Sequence, residues 1–340
     1  SFINIITSTA AGSINQFLQQ LSGLIIIWVG ANLVLQGEMT IGQLIAFRIL
    51  SNFVTNPLLR LANIWQDFQE ISLSIDRLSD IMDQREEGEF SEGHLSPMSK
   101  ISGEIDMSSV NFKFNEFAPL QLKNINLNIP KGSKVAIVGE SGSGKSTLLR
   151  LLARIHTPIS GEIKIDGIDI SKIELNSYRN QIGMVPQENV LFEGTILQNI
   201  AITNPQASLE DIYFASKLAC AHNFIDSLPS GYETYLGERG KGLSGGQCQR
   251  IAIARMILKK PQLLIFDEAT SALDLKTERL LLKNIFCHFK EKTILLSTHK
   301  LSSLVETDQI ILLNNGIIEE KGTHDELMNI KGRYSIMFKK

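Results

Sequence analysis

The first 37 of the 340 residues contain no aspartate, glutamate, lysine or arginine, whereas residues 76–92 are rich in them. Such a shift marks a boundary between two solvents. Cysteine is also scarce. Cys220, Cys248 and Cys287 have no paired or metal-like spacing, which argues against a disulfide framework and fits a reduced cytosolic compartment for the globular part. All three are expected to be small buried hydrophobes. An excess of one charge is missing as well: 33 Lys and Arg against 36 Asp and Glu leave a formal net charge of −3. That balance offers no electrostatic footprint for nucleic acid, so no nucleic-acid partner is expected. There is no internal repeat. No basic segment leads into a short apolar core and a small-residue cleavage site, so no signal peptide is expected. The chain, starting at Ser1, reads as the C-terminal piece of a longer polypeptide.

What is present at the N-terminus is a run of mostly apolar residues over 17–35, close to the ~20 residues that cross a bilayer as a helix. A second apolar segment, 41–65, follows the polar turn 36–40, and together they have the length of a transmembrane hairpin. A buried core helix is the alternative reading of the first. Arg48 and Arg60 lie in the second segment, where charge is costly unless it faces protein, water or headgroups. Arg60 is expected near the cytoplasmic interface. Arg48 has two readings, lining a polar translocation path or pairing with a neighbouring helix.

Over 66–82, Phe68, Ile71, Ile75, Leu78 and Met82 recur at the spacing of an amphipathic helix leaving the membrane. The expected domains are a membrane part at 1–83, an exposed linker at 84–102 and a globular domain at 103–340. In the last, 105–114 and 122–129 alternate as strands, 134–138 is an apolar strand, and 163–170 is a hairpin about an Asp-Gly turn. Residues 294–297 and 309–313 are also strand-like and alternate with helical segments, which points to a mixed α/β core.

The 134–138 strand runs into Gly139, Glu140, Ser141, Gly142, Ser143, Gly144, Lys145, Ser146 and Thr147, which fit the phosphate-loop pattern. Backbone N–H groups of such a loop close around phosphates at a helix N-terminus. Lys145 is positioned to reach the β and γ phosphates of ATP, and Ser146 to offer a hydroxyl to Mg²⁺. The apolar strand 263–266 ends in Asp267 and Glu268. An acid there can hold Mg²⁺ through water, and its neighbour can orient and polarise the attacking water.

With Leu243, Ser244, Gly245, Gly246 and Gln247 added, the chain from about 103 to its end resembles the nucleotide-binding domain of ATP-binding cassette (ABC) transporters. The resemblance implies an α/β P-loop NTPase fold: a RecA-like core with a β-subdomain and a helical signature subdomain, preceded by the last helices of an all-α membrane domain. Residues 243–247 are the implied signature, a second anion site that closes on ATP held by the opposite subunit of a homodimer. Gln187 matches a loop glutamine touching Mg²⁺ and the attacking water, and His299 matches a switch histidine. The implied catalytic set is thus Glu268, His299 and Gln187, with Ser146, Gln187 and Asp267 at the metal. Asp274, which could equally cap the following helix, and Glu238, in an exporter-type loop that meets the membrane domain, are the implied communication residues of the dimer. Phe114 stands where the family usually has a tyrosine stacked on adenine, with Phe112 or Phe117 as alternatives. Cys248 departs from the long polar residue often found after the signature.

About forty residues around 41–81 further resemble the last membrane helix of haemolysin-type exporters of bacterial type I secretion. That implies a multi-pass inner-membrane protein with a cytoplasmic ATPase domain, a protein or peptide cargo, and a periplasmic adaptor and outer-membrane channel as further partners. A lipid or multidrug exporter is the nearest alternative, and a soluble cassette ATPase the more distant one.

Overall fold

The computed structural model describes residues 2–83, 96–188, 190–300 and 304–338. The chain divides into two compact units, Ser1–Glu87 and Gly88–Lys340.

The first unit is a pair of long helices, α1 (Phe2–Leu35) and α2 (Ile41–Met82). Thr40 starts α2 with a capping box, its hydroxyl accepting from the Gln43 N–H while the Gln43 side chain returns to the Thr40 N–H. The helices meet where Gly30 leaves room for Leu44, whose Cγ would lie 3.2 Å from an added Cβ. Gln19 donates to Asn56 Oδ1 across the pair at 3.0 Å. Leu24, Trp28, Leu50 and Phe53 remain exposed. Among the described residues one segment, Gln16–Leu35, is long and apolar enough to cross a membrane. The expected second span at 41–65 is not apolar enough by the same measure, because Gln43, Arg48, Ser51, Asn52, Asn56 and Arg60 dilute it. It forms the first part of one continuous 42-residue helix through Pro57. Arg48 lies on a polar cleft between α1 and α2, together with Gln16, Gln19, Gln20 and Asn52.

Most of the expected linker, 84–95, lies outside the described residues. Its end does not behave as linker: Ile101 is buried, its N–H donates to Gln181 Oε1 at 2.7 Å, and the Met98 N–H donates to Ser177 Oγ.

The second unit begins with an antiparallel sheet. β1 (Ile105–Phe112) lies between β2 (Leu122–Ile129) and β4 (Ser160–Ile165), and β5 (Ile168–Asp169) is at the far edge. The β4–β5 turn is Asp166 at φ 52° and Gly167 at φ 77°, the paired left-handed conformation a two-residue hairpin requires. The Asp166 carboxylate also accepts from the N–H groups of Ser102, Gly103 and Glu104, which ties the chain entering this unit to the hairpin.

The central sheet is built on β3 (Lys134–Val138), with β6 (Ile182–Val185), β9 (Leu263–Asp267), β10 (Thr293–Ser297), β11 (Gln309–Asn314) and β12 (Ile317–Gly322). Its order is β12-β11-β3-β10-β9-β6, parallel except at the β11–β12 edge. Strand periodicity sends alternate residues to opposite faces. Val135, Ile137, Ile265 and Leu295 join a core with β1, β2 and α3 (Lys145–Leu152). Ala136, Val138, Phe266 and Leu296 face a second core of helices: α5 (Ile196–Ala201), α6 (Leu209–Leu218), α7 (His222–Asp226), α8 (Gly245–Leu258) and α9 (Leu275–His288). A short α4 (Leu175–Arg179) precedes β6, a two-stranded ribbon pairs β7 (Gly194–Thr195) with β8 (Tyr235–Leu236), and α10 (His324–Ile330) and α11 (Arg333–Phe338) end the unit.

The cysteines depart from expectation. Cys220 and Cys248 are half-buried and Cys287 is exposed on α9, because apolar α9 residues such as Leu281, Leu282, Ile285 and Phe286 occupy the face toward the core.

Candidate nucleotide-binding site

The parallel strands β3, β9 and β10 all end on one edge, where an open α/β sheet places its ligands. Residues 139–144 connect β3 to α3 there. Gly144 has φ 108°, and a Cβ on it would lie 2.7 Å from Leu122 Cδ2. A Cβ on Gly139 would lie 2.7 Å from Ser143 Oγ and collide with the Leu313 carbonyl. Both positions therefore require glycine. The loop is braced from outside: Gln121 Nε2 donates to the Gly142 carbonyl at 3.0 Å and the Gly316 N–H to the Ser143 carbonyl at 3.1 Å.

Lys145 opens α3, buried, with its ammonium donating to the carbonyls of Gly139 and Glu140, both at 3.0 Å. Burial pushes its pKa below the ordinary lysine value, against the opposing pull of the Glu268 and Asp267 carboxylates. Ser146 Oγ donates to Asp267 Oδ1 at 2.7 Å, and Ser297 Oγ donates to the same oxygen at 2.9 Å. Asp267 is fully buried and its Oδ2 has no hydrogen-bond partner among the described residues. A buried carboxylate oxygen left without a proton donor is a fit for a cation. No group of three or more His, Cys, Asp or Glu that could hold a metal occurs among the described residues. The donor set at Asp267 thus suits an ion that takes its other ligands from hydroxyl, water and phosphate oxygens.

Glu268, the next residue, sits in the left-handed region at φ 50°. Its N–H is held by Ser297 Oγ at 2.9 Å and the Ser297 carbonyl at 3.2 Å. This conformation is uncommon outside glycine and aims the side chain off the strand end. The carboxylate accepts from Gln187 Nε2 at 2.9 Å on Oε2 and faces His299 Nε2 at 2.8 Å and Lys145 Nζ at 3.8 Å on Oε1. Gln121, Ser141, Gly142, Gly144, Lys145, Ser146, Thr147, Gln187, Glu268 and His299 line one cleft of about 170 Å³.

Other expected site residues lie elsewhere. Phe112 is buried and stacked on His156, ring centroids 5.3 Å apart, so its ring is not available to a ligand. Phe114 lies just beyond β1, exposed, with its edge against Phe112. Phe117 is almost wholly exposed. Ser244 is the N-cap of α8 in a capping box with Gln247, and Gly246 packs on residues 272–273, with 2.9 Å between an added Cβ and the Ala272 carbonyl. None of 243–247 lines the cleft. Asp274 caps α9, accepting from the N–H groups of Lys276 and Thr277 at 3.1 and 3.0 Å. Glu238 is exposed on a one-turn 3-10 helix.

Comparison with known proteins follows the same outline. Residues 122–271 match the ABC transporter family. The chain is 46% identical over 323 residues to a leukotoxin translocation ATP-binding protein, LktB, of Mannheimia glucosida, covering 95% of this chain and 45% of that protein. It is 44% identical over 329 residues to the alpha-hemolysin translocation ATP-binding protein HlyB of Escherichia coli O157:H7, covering 97% and 46%. The chain therefore spans about half the length of the curated relatives it matches. Among solved structures, a bacterial Atm1-family ABC exporter with ATP bound is similar at a TM-score of 0.77 and 33% identity, over 98% of this chain and 59% of that one. A phosphate loop, a strand-end acid pair and a glycine-led helix on this sheet, together with these relatives, make the chain a member of the ABC transporter family, with an ATP-binding unit at its C-terminal end.

Proposed function

We propose that this chain is the C-terminal part of a homodimeric exporter, which couples ATP binding and hydrolysis to outward movement of a protein or peptide across the bacterial inner membrane. The observation that carries the ATPase reading is the Glu268 carboxylate, held between Gln187 and His299 beside the Ser146–Asp267 pair.

In this reading the loop 139–144 and Lys145 hold the phosphates. The Ser146 hydroxyl, Asp267 and Gln187 hold Mg²⁺, which when bound supplies charge neutralisation at the β and γ phosphates. Glu268 orients a water molecule and accepts its proton as the water oxygen attacks the γ-phosphorus in line with the departing ADP. His299 hydrogen-bonds the γ-phosphate and stabilises its charge in the transition state. Phe114 offers a ring for adenine.

The signature residues 243–247 take no part in the cleft of their own chain, which supports a two-fold dimer with each ATP between the loop of one copy and the signature of the other. Asp274, at the end of the loop leaving Glu268, and Glu238 then communicate between the two copies and with the membrane part. The apolar Gln16–Leu35 segment supports a membrane location; the less apolar first half of α2 crosses beside it with its polar side chains turned to protein or water, its C-terminal half continues into the cytoplasm, and residues 103–340 are the cytoplasmic ATPase domain. A protein cargo, with a periplasmic adaptor and outer-membrane channel as partners, is supported by the likeness to leukotoxin and alpha-hemolysin translocation proteins. A lipid or drug cargo is the second reading, because an ABC exporter outside the leukotoxin and alpha-hemolysin translocation proteins shares this fold.

The test of the ATPase reading is nucleotide occlusion by the Glu268→Gln variant of the full-length protein with Mg²⁺ and ATP. One unhydrolysed ATP retained per chain in a closed dimer is expected. Turnover at the wild-type rate would remove Glu268 from the chemistry.

A further inference from the structure

Lys300 directly follows His299 yet lines no part of the nucleotide cleft. Its Nζ lies 2.5 Å from the Leu273 carbonyl, 3.2 Å from the Thr270 carbonyl and 3.2 Å from Glu278 Oε2. An ammonium has three N–H donors and no acceptor; two go to these carbonyls, and the charge is paired with Glu278. Glu278, in the first turn of α9, is fully buried. Its Oε1 accepts from Thr270 Oγ1 at 2.7 Å, while its Oε2 has no hydrogen bond among the described residues and pairs with the Lys300 ammonium. A buried carboxylate with one cationic neighbour depends on that neighbour, since deleting one member of such a pair strands the other charge.

The loop gripped in this way starts immediately after Glu268 and ends at Asp274. It is also held from α8, where Gln249 donates to Ser271 Oγ at 3.1 Å and accepts from the Ala272 N–H at 3.0 Å. One cation therefore joins the segment carrying His299 to the loop that leaves Glu268, and those two side chains are the ones 2.8 Å apart in the cleft.

We propose that Lys300 is a positioning residue for ATP hydrolysis: with Glu278 it forms a buried strut that makes His299, Glu268 and the 269–274 loop one mechanical body. The proposal rests on the roles of Glu268 and His299 given above. The strut acts on the geometry of the hydrolytic pair and leaves the phosphate loop alone. Its loss is therefore a loss of kcat with little change in nucleotide affinity.

The experiment uses the full-length protein in lipid vesicles and measures kcat and KM for ATP, the Kd of a fluorescent ATP analogue, and Tm. It compares wild type with Lys300→Met, Lys300→Arg, the double variant Lys300→Met with Glu278→Leu, and His299→Ala. Lys300→Met is expected to lower kcat about 10- to 100-fold, as a misplaced reacting group does, with Kd within about twofold. Lys300→Arg keeps the charge and recovers most of the rate. The double variant leaves no stranded charge, so it regains Tm while kcat stays low. Lys300→Met turning over as wild type, or a double variant that recovers kcat together with Tm, would overturn the strut. If Lys300→Met does not fold, the double variant decides by the same criterion. Wild-type turnover by His299→Ala would instead remove the reading of His299, while the Lys300 comparison still reports on the loop.

Discussion

His299 Nε2 lies 2.8 Å from Glu268 Oε1, and strand register explains the meeting. β9 and β10 are parallel neighbours with Asp267 paired to Ser297, so the residues just past each strand end share one edge. Gln187 Nε2 occupies the other Glu268 oxygen at 2.9 Å. Both side chains are thus engaged with the acid, and in the proposed mechanism His299 must leave it to meet the γ-phosphate and Gln187 to meet Mg²⁺.

Replacing Gln187 with Ala removes one of these partners without touching the phosphate loop. The expected effect is a fall in kcat of about tenfold or more, with a smaller change in KM, as for a group acting mainly in the transition state. Steady-state ATPase assays of the full-length protein read this directly. A raised KM at unchanged kcat would place Gln187 in ground-state binding only.

Lys145 makes ATP affinity depend on alkaline pH. Burial lowers its pKa, so the nucleotide-free ammonium loses its proton below the ordinary lysine range. Phosphates favour the charged form, so the bound state keeps the proton. Affinity should be greatest below the lowered pKa and fall as pH rises through it, with proton uptake on binding. Calorimetry in buffers of different ionisation enthalpy measures that uptake. Pure proton release on binding across this range would contradict it. Lys145→Ala should weaken ATP binding at every pH.

An arginine at Leu24, near the middle of the apolar Gln16–Leu35 segment, tests whether that segment meets lipid. A central arginine costs about 2.5–3.5 kcal/mol of insertion free energy. Leu24→Arg should therefore reduce the carbonate-resistant membrane fraction of the full-length protein. Unchanged membrane retention would mean that the exposed face of α1 is covered by protein.

Thiol labelling should rank the cysteines by their surroundings. Cys287 is exposed, whereas burial raises the thiol pKa of both Cys220 and Cys248 and holds them in the unreactive protonated form. A maleimide at neutral pH should modify Cys287 first, as peptide mass spectrometry would show. Earlier modification of Cys248 would mean that the start of α8 opens in solution.

Elements whose signal is local were legible in the sequence. The strand at 122–129, the β3 strand and the Asp-Gly hairpin announce themselves by alternation, an apolar run or a two-residue turn. The helix over 66–82 was legible by its spacing as a continuation out of the 41–65 segment; that 41–65 itself runs as helix through Pro57 was less legible, since proline argues for a break. Strand β1 stops at Phe112, short of Phe114, where a turn begins. In the site, Glu268 stood out as one of two acids ending an apolar strand, and Gln187 and His299 through the resemblance to the family. Gln121, Ser297, Lys300 and Glu278 did not, because each acts through contacts set by sheet order or by packing across distant parts of the chain. Ser297 reads simply as a strand residue until β10 is set beside β9.

The most direct test of the exporter is ATP-dependent release of a polypeptide from cells or inverted vesicles carrying the full-length protein, with Glu268→Gln as the control. The account predicts polypeptide export that the variant abolishes while still binding ATP. An ATPase stimulated by lipids or drugs, with no polypeptide exported, would contradict it and assign the chain to a lipid or drug exporter.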